Sequence, residues 1–106
     1  MRQSNQQVNQ SIGRGRIYNE ISEIVGNTPL VRLSNLMKEE GLEAEILAKI
    51  EYVNPAGSVK DRPALAMIEN AIKKGLIQKN TEIVEATSGN NGVACAWACA
   101  VRGIPI

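Results

Sequence analysis

The amino-acid sequence predicts an α/β fold in which flanking helices cover a mostly parallel sheet. Two observations indicate this class. Short apolar segments typical of strands alternate with segments of helical periodicity, in the order β-α-β-α-β-α-β. A glycine-rich polar loop also follows one of these strands directly and opens the next helix. The chain has 106 residues, which suits one domain or part of a larger one.

The first sixteen residues have the composition of a flexible tail. They are rich in Gln, Asn and Ser, and they contain three Arg and no acidic residue. An organelle-targeting peptide shares this composition but should be amphipathic, and few residues here are apolar. The sequence has no secretory hydrophobic region, so we expect a cytoplasmic protein whose fold occupies residues 17–106.

The next segments predict two strands with a short helix between them. Residues 29–33, "PLVRL", are typical of an apolar strand. Residues 34–41, "SNLMKEEG", predict a short helix with Ser34 as its N-cap and a glycine just past its end. In residues 44–54, "AEILAKIEYVN", apolar and charged side chains alternate, which predicts the second strand.

Residues 58–74 form the clearest predicted helix. Ser58 and Asp61 have the spacing of a capping box, although Asp stands where Glu is usual. Two lysines occupy the last turn, where the helix dipole favours cations. The apolar residues recur at helical intervals: Leu65, Ile68, Ile72 and Leu76.

The last part of the chain predicts a strand, a loop, a helix and the start of another strand. These are "TEIVEA" (81–86), "TSGNNG" (87–92), the helix 93–101 and "IPI" (104–106). The helix is apolar on every side and so requires burial all round. The predicted strands and helices can hardly cover it, and the sheet would end on an open edge. We therefore expect either a partner or a longer protein of which this is the front part.

Composition excludes several classes of function. The chain carries 12 basic and 11 acidic residues, a net charge of +1, which indicates neither a polyanion nor a membrane partner. One Trp, two Tyr and no Phe argue against a stacking surface for nucleic acid. The absence of His excludes His ligands to a metal and His acid–base catalysis. Cys95 and Cys99 match no zinc or redox spacing, so we expect buried thiols and no metal site.

Lys60, within "NPAGSVKDRP" (residues 54–63), occupies an unusual place for a lysine. It stands in the first turn of the predicted helix, where the dipole opposes its charge by roughly 0.3–1 kcal/mol at an exposed site. The dipole and burial would together favour the neutral amine, which can attack an aldehyde. The alternative is a solvated surface lysine, and the spacing alone does not decide between the two.

The loop "TSGNNG", residues 87–92, is a candidate anion site. Backbone N–H groups freed by Gly89 and Gly92 would form a cradle for a phosphate or carboxylate at a helix N-terminus. Hydroxyls from Thr87 and Ser88 would add to it. The alternative is a tight strand-to-helix turn, and the loop matches neither GxxxxGK[ST] nor GxGxxG. If both it and the lysine follow strands of one parallel sheet, they share the sheet edge where α/β folds bind ligands.

The segments "IVGNTPLVRL", "NPAGSVKDRPALAMIENA" and "EATSGNNG" closely resemble the N-terminal part of a known enzyme family. It is the cysteine synthase (O-acetylserine sulfhydrylase) and cystathionine β-synthase family of fold-type II, tryptophan-synthase-β-like enzymes. The resemblance implies the cofactor pyridoxal 5'-phosphate (PLP), a homodimer, and β-replacement on O-acetylserine with sulfide to form L-cysteine. It is less specific for the reaction, so cystathionine and diaminopropionate synthases stay as alternatives.

The resemblance also implies roles for particular residues. Lys60 matches the lysine that forms the internal aldimine with PLP and later moves the α-proton. Asn90 matches the asparagine that hydrogen-bonds the ring hydroxyl of the cofactor. Thr87, Ser88 and the Gly89 backbone match the loop that binds the substrate carboxylate and closes over it.

Asn91 departs from the family pattern, which usually has Thr at that position. A side-chain amide can still bind a carboxylate, but the hydroxyl geometry differs, and this affects which substrate is expected.

The same resemblance implies that these enzymes are longer and have two domains. Their phosphate-gripping Gly/Thr loop and the residue facing the pyridine nitrogen lie further along the chain than the 106 residues here. We therefore expect this chain not to catalyse the reaction alone. A truncated, non-catalytic remnant is the competing hypothesis. A plain anion-binding module is the third, and it gives Lys60 no role.

Overall fold

The structure is a computed structural model that describes residues 14–106. The first thirteen residues of the predicted tail lie outside this range. Of the rest of the tail, Arg14 Nη1 donates to the carbonyl of Ile24 at 2.6 Å. Arg16 forms a 3.0 Å ion pair with Glu23. These two arginines therefore contact the first helical turn of the fold.

Two 3-10 helices, three α-helices and two strands make up the regular structure of residues 14–106. The 3-10 helix Ile21–Ile24 precedes strand β1 (Leu30–Arg32), helix α1 (Ser34–Glu39) and strand β2 (Leu47–Lys49). A second 3-10 helix, Glu51–Val53, leads to helices α2 (Asp61–Lys73) and α3 (Asn90–Arg102). None of the helices in residues 14–106 is long and apolar enough to cross a membrane.

The two strands form one short antiparallel ladder. Leu30 lies opposite Lys49, and Arg32 lies opposite Leu47. The connection through α1 brings the chain back in the opposite direction. The predicted mostly parallel sheet is therefore not confirmed, because the ladder within the described residues is antiparallel.

The strands predicted at residues 81–86 and 104–106 do not form in the described structure. A single backbone hydrogen bond joins the two segments, from Ile83 N to the Pro105 carbonyl at 2.9 Å. Val84 is 89% exposed, so its apolar side chain has no sheet face to pack against. One bond is too few for a ladder, which explains why an apolar β-type sequence remains irregular here.

The predicted second strand is correct only in its middle. The chain leaves the ladder after Lys49 and forms the 3-10 helix Glu51–Val53. Glu51 turns its carboxylate towards Arg62, at 2.9 Å, instead of lying on a strand face. A charged contact to the start of α2 therefore overrides the alternating pattern.

Helix α2 begins three residues later than predicted because its capping box does not form. The Asp61 carboxylate accepts a hydrogen bond from Ala56 N at 2.6 Å. Ser58 Oγ accepts from Lys60 N at 3.2 Å. The polar side chains thus stabilise the turn before the helix, and Lys60 becomes the N-cap. At the other end of the domain, α3 closes on Gly103, whose φ of +67° is the left-handed conformation that glycine adopts without strain.

Helices α2 and α3 pack against each other and form the core. Ala64 of α2 is buried with Ala94 and Cys95 of α3. One turn further along, Ile68 is buried with Ala98 and Cys99. Because contacts advance along both helices together, the helices run in the same direction and their N-termini lie at the same end.

The predicted burial of α3 on all sides is found on one face only. Ala94, Cys95, Ala98 and Cys99 are buried, whereas Val93 is 54% exposed. The prediction of buried, unpaired thiols is confirmed for both cysteines. Burial is the main cause that raises the pKa of each of the two thiols.

Candidate functional site

Lys60 is the N-cap residue of α2, with φ −67° and ψ −17°. Its backbone is held on both sides: the N–H donates to Ser58 Oγ at 3.2 Å, and the carbonyl accepts from Ala64 N at 3.1 Å. Its side chain is exposed. The burial assumed in the sequence argument is therefore absent from the described structure. The amine is instead a solvent-accessible group on a fixed backbone.

Asp61, the residue after Lys60, is fully buried. One carboxylate oxygen, Oδ2, accepts from Ala56 N at 2.6 Å. The other, Oδ1, accepts from Trp97 Nε1 at 3.1 Å. The loop before Lys60 is thus tied both to the helix that it precedes and to α3.

Arg62, two residues after Lys60, is the centre of a second hydrogen-bond network. Its Nε and Nη2 donate to the two carboxylate oxygens of Glu51 at 2.9 and 3.0 Å, a bidentate ion pair. Nη2 also donates to Thr28 Oγ1 at 3.2 Å. Thr28 Oγ1 in turn donates to Glu51 Oε1 at 2.6 Å. The hydrogen bonds from Arg62, then Thr28, lower the pKa of Glu51 to about 2.

Asn54 completes this network at the start of the lysine loop. Its Nδ2 donates to Glu51 Oε2 at 2.9 Å, and its Oδ1 accepts from Gly26 N at 2.8 Å. Gly26 is buried with φ +82°, and a Cβ there would lie 2.8 Å from Arg62 Nη1. The turn of "GNTP" is therefore packed directly on the segment that carries Lys60.

Sequence reasoning missed the network of Thr28, Glu51, Asn54, Asp61 and Arg62. One signal could have found most of it: the polar residues of "GNTP" and "NPAGSVKDR" lie within the segments that resemble the enzyme family. Polar residues without a ligand role in such blocks are candidates for holding those that have one. Glu51 lies outside both blocks. The sequence places it only on the charged face of a predicted strand, which does not indicate a role in this network.

The predicted anion loop is bonded to itself. Thr87 Oγ1 accepts from Gly89 N at 3.3 Å and from Gly92 N at 3.2 Å. These are the two N–H groups that the cradle was expected to offer. An anion at this position would have to replace the Thr87 hydroxyl as their acceptor.

The remaining candidate residues lie on the exposed side of the same loop. Ser88 and Asn90 are exposed, and Asn90 is the first residue of α3. Asn91 Nδ2 donates to Glu85 Oε1 at 3.0 Å. Because α2 and α3 run in the same direction, this loop and Lys60 lie at the same end of the helix pair. The structure thus brings the two candidate groups to one end of the fold.

Comparison with known proteins gives consistent matches. Residues 21–106 match the family described as pyridoxal-phosphate dependent enzyme. A cysteine synthase of Aquifex aeolicus is 51% identical over 87 residues, which cover 81% of this chain and 27% of that protein. A cystathionine beta-synthase of Apis mellifera is 49% identical over 88 residues, which cover 83% of this chain and 18% of that protein.

Solved structures give the same result. The crystal structure of O-acetyl serine sulfhydrylase isoform 3 from Entamoeba histolytica matches 90% of this chain with a TM-score of 0.83 and 43% identity. The O-acetylserine dependent cystathionine beta-synthase from Helicobacter pylori matches 84% with a TM-score of 0.74 and 35% identity. The match covers 29% of each of those two chains. The chain therefore spans less than a third of the length of these relatives.

Proposed function

The chain belongs to the family of pyridoxal-phosphate-dependent enzymes, and from this membership we propose that it takes part in β-replacement on O-acetylserine with sulfide, forming L-cysteine. The names of relatives that match at 49–51% identity support this reaction class. The observation that carries the proposal is the placement of Lys60 and Asn90 at the N-termini of two helices that pack side by side in the same direction.

The groups at this end of the fold fit two parts of PLP. The exposed amine of Lys60 suits the cofactor's aldehyde carbon, and the exposed amide of Asn90 suits its ring hydroxyl. The bound cofactor would supply an electron sink for the negative charge that develops at the substrate's α-carbon. The protein's task is to hold and orient both molecules.

Each residue has a distinct part in the proposal. Lys60 Nζ would hold the cofactor covalently and would afterwards move the α-proton. Asn90 would orient the ring. Thr87, Ser88 and Gly89 bind the substrate carboxylate, for which the internal bonds of Thr87 to the loop must be exchanged.

Asn91 would contribute its amide to the same carboxylate. In the structure this amide is bonded to Glu85 at 3.0 Å. The amide nitrogen has two N–H donors, so the second can bind the substrate carboxylate while Glu85 holds the first. A homodimer in the complete enzyme is part of the proposal and comes from the family resemblance.

A β-replacement with a different nucleophile, as in cystathionine synthesis, is the second candidate. The cystathionine beta-synthase of Apis mellifera is as similar to this chain, at 49% identity, as the cysteine synthases of Staphylococcus aureus. The Asn91 substitution lies in the loop that would bind the substrate, so it bears on this choice.

Absorbance titration of the PLP-loaded chain with O-acetylserine tests the proposal. We expect a saturable change in the visible band that acetate alone does not produce and that weakens in Asn91→Ala. A loaded chain whose spectrum does not respond to O-acetylserine would contradict it, and it would favour the hypothesis of a non-catalytic remnant.

A further inference from the structure

We infer that Asp61 and Trp97 are positioning residues, whose partly buried hydrogen bond fixes the N-terminus of α2 relative to α3 and so sets Lys60 against the Asn90 loop. The inference rests on the proposed function of Lys60 and Asn90. It adds a side-chain pair that would contact neither cofactor nor substrate.

The side chain of Asp61 is buried in the fold. Its relative exposure is 0%, and a buried carboxylate is costly unless hydrogen bonds satisfy it. Each of its two oxygens accepts a hydrogen bond from a different donor: Ala56 N at 2.6 Å and Trp97 Nε1 at 3.1 Å. Among the described residues, no buried side-chain nitrogen or oxygen lacks a partner. Removing either donor would leave one of these oxygens unsatisfied.

Trp97 is the donor and Asp61 the acceptor of the bond between the two helices. An indole N–H only donates, and a carboxylate at neutral pH only accepts, so the pair has one arrangement. Trp97 lies in the second turn of α3, and side chains of helices lean towards the N-terminus. The indole therefore reaches back along α3 to the first residue of α2.

The rest of the interface between α2 and α3 is mostly apolar. It is built from small side chains, with Ala64 against Ala94 and Cys95, and from Ile68 against Ala98 and Cys99. Apolar contacts of this kind are not directional. A second polar contact, from Arg102 Nη2 to Glu69 Oε1 at 2.7 Å, joins the two helices towards their C-terminal ends. The Asp61–Trp97 bond fixes the opposite end of the helix pair, next to Lys60 in sequence.

Hydrogen exchange of the loop at residues 54–60 tests the inference without any cofactor. In Trp97→Phe a smaller aromatic ring replaces the indole and the N–H donor is lost. We expect exchange in this loop to rise about tenfold relative to the wild-type chain, as for a lost bond to a buried charged group. Ile68→Val is the matched control, because it weakens the same interface without touching the bond. It should leave exchange in the loop within about twofold of wild type at a temperature where both are folded.

A second readout uses PLP and borohydride reduction, with the adduct on Lys60 measured by peptide mapping. We expect Trp97→Phe and Asp61→Asn to lower the rate of adduct formation at Lys60 by about tenfold and Ile68→Val to leave it unchanged. If wild-type Lys60 forms no adduct, the proposed function fails while the exchange experiment still decides the inference. Loop exchange in Trp97→Phe equal to that in Ile68→Val would overturn the inference.

Discussion

Gly92 is the residue of the anion loop at which the structure makes the sharpest prediction. A Cβ at this position would lie 2.1 Å from Cγ2 of Thr87 and 3.4 Å from its Cβ. Carbon atoms in contact are normally about 3.5–4.0 Å apart. The methyl group of an alanine therefore cannot be accommodated unless Thr87 moves.

The cost of Gly92→Ala follows from what Thr87 would lose. Its β-branched side chain has few χ1 rotamers, so moving Cγ2 also moves Oγ1. Oγ1 would then release Gly89 N and Gly92 N, which it holds at 3.3 and 3.2 Å. Two hydrogen bonds of this kind are worth about 1–3 kcal/mol together, and water at this exposed loop recovers part of that. We expect the free energy of unfolding to fall by about 1–2 kcal/mol.

Urea unfolding followed by tryptophan fluorescence measures this change, because Trp97 is the single tryptophan of the chain. Gly89→Ala is the matched control, since a Cβ at Gly89 meets no atom within 4 Å. In Thr87→Ser the clashing methyl is absent and the hydroxyl remains, so the double variant Thr87→Ser/Gly92→Ala should recover most of the loss. Equal stability of the two glycine variants, or no recovery in the double variant, would refute the reasoning.

Three further predictions concern the network behind Lys60 and the buried thiols. Hydrogen bonds from Arg62 lower the pKa of Glu51 from 4.5 to about 2, so its stabilising contribution is present above about pH 4.5 and is lost as pH falls towards 2. Thermal unfolding of Glu51→Gln should accordingly depend less on pH in this window, and a slope equal to that of wild type would contradict the assignment. Gly26→Ala should destabilise the chain more than Gly41→Ala, because both positions have positive φ but only Gly26 faces a neighbour, Arg62 Nη1 at 2.8 Å; equal melting temperatures would argue against that packing. Burial raises the pKa of the Cys95 and Cys99 thiols, so a thiol reagent at pH 8 should label them slowly in the folded chain and rapidly in urea, and fast labelling of the folded chain would show that the helix pair is open.

The helices could be predicted from the sequence because their signals are local. The apolar residues of α2 recur at helical intervals, and the glycine loop marks the start of α3 within three residues. The same locality explains the error at Ser58. The spacing of Ser58 and Asp61 predicts a capping box, but it does not exclude bonds to other partners. In the structure the Asp61 carboxylate accepts from Ala56 N and Trp97 Nε1 instead.

The parallel sheet could not be predicted reliably because strands depend on distant partners. The segment containing Ile83 and Val84 has a β-type sequence, yet its one backbone bond to Pro105 does not make a strand. In the candidate site, too, local features could be predicted and contacts between distant residues could not. Lys60 and the loop at residues 87–92 were found from their positions before helices, whereas the links Asp61–Trp97 and Glu51–Arg62 join residues 36 and 11 apart in sequence. No local pattern indicates such pairs.

The most direct test of the central claim is the site of PLP attachment on the purified chain. After incubation with PLP, dialysis and borohydride reduction, peptide mapping would give the adduct on each lysine, with Lys60→Ala and Lys74→Ala as paired variants. Lys60 and Lys74 are both exposed and lie at opposite ends of α2, so exposure alone would label them alike. We predict an adduct concentrated on Lys60, together with a visible absorbance band that Lys60→Ala loses and Lys74→Ala keeps. Equal labelling of the two lysines, with a band that survives in Lys60→Ala, would contradict the assignment of Lys60 as the cofactor's anchor.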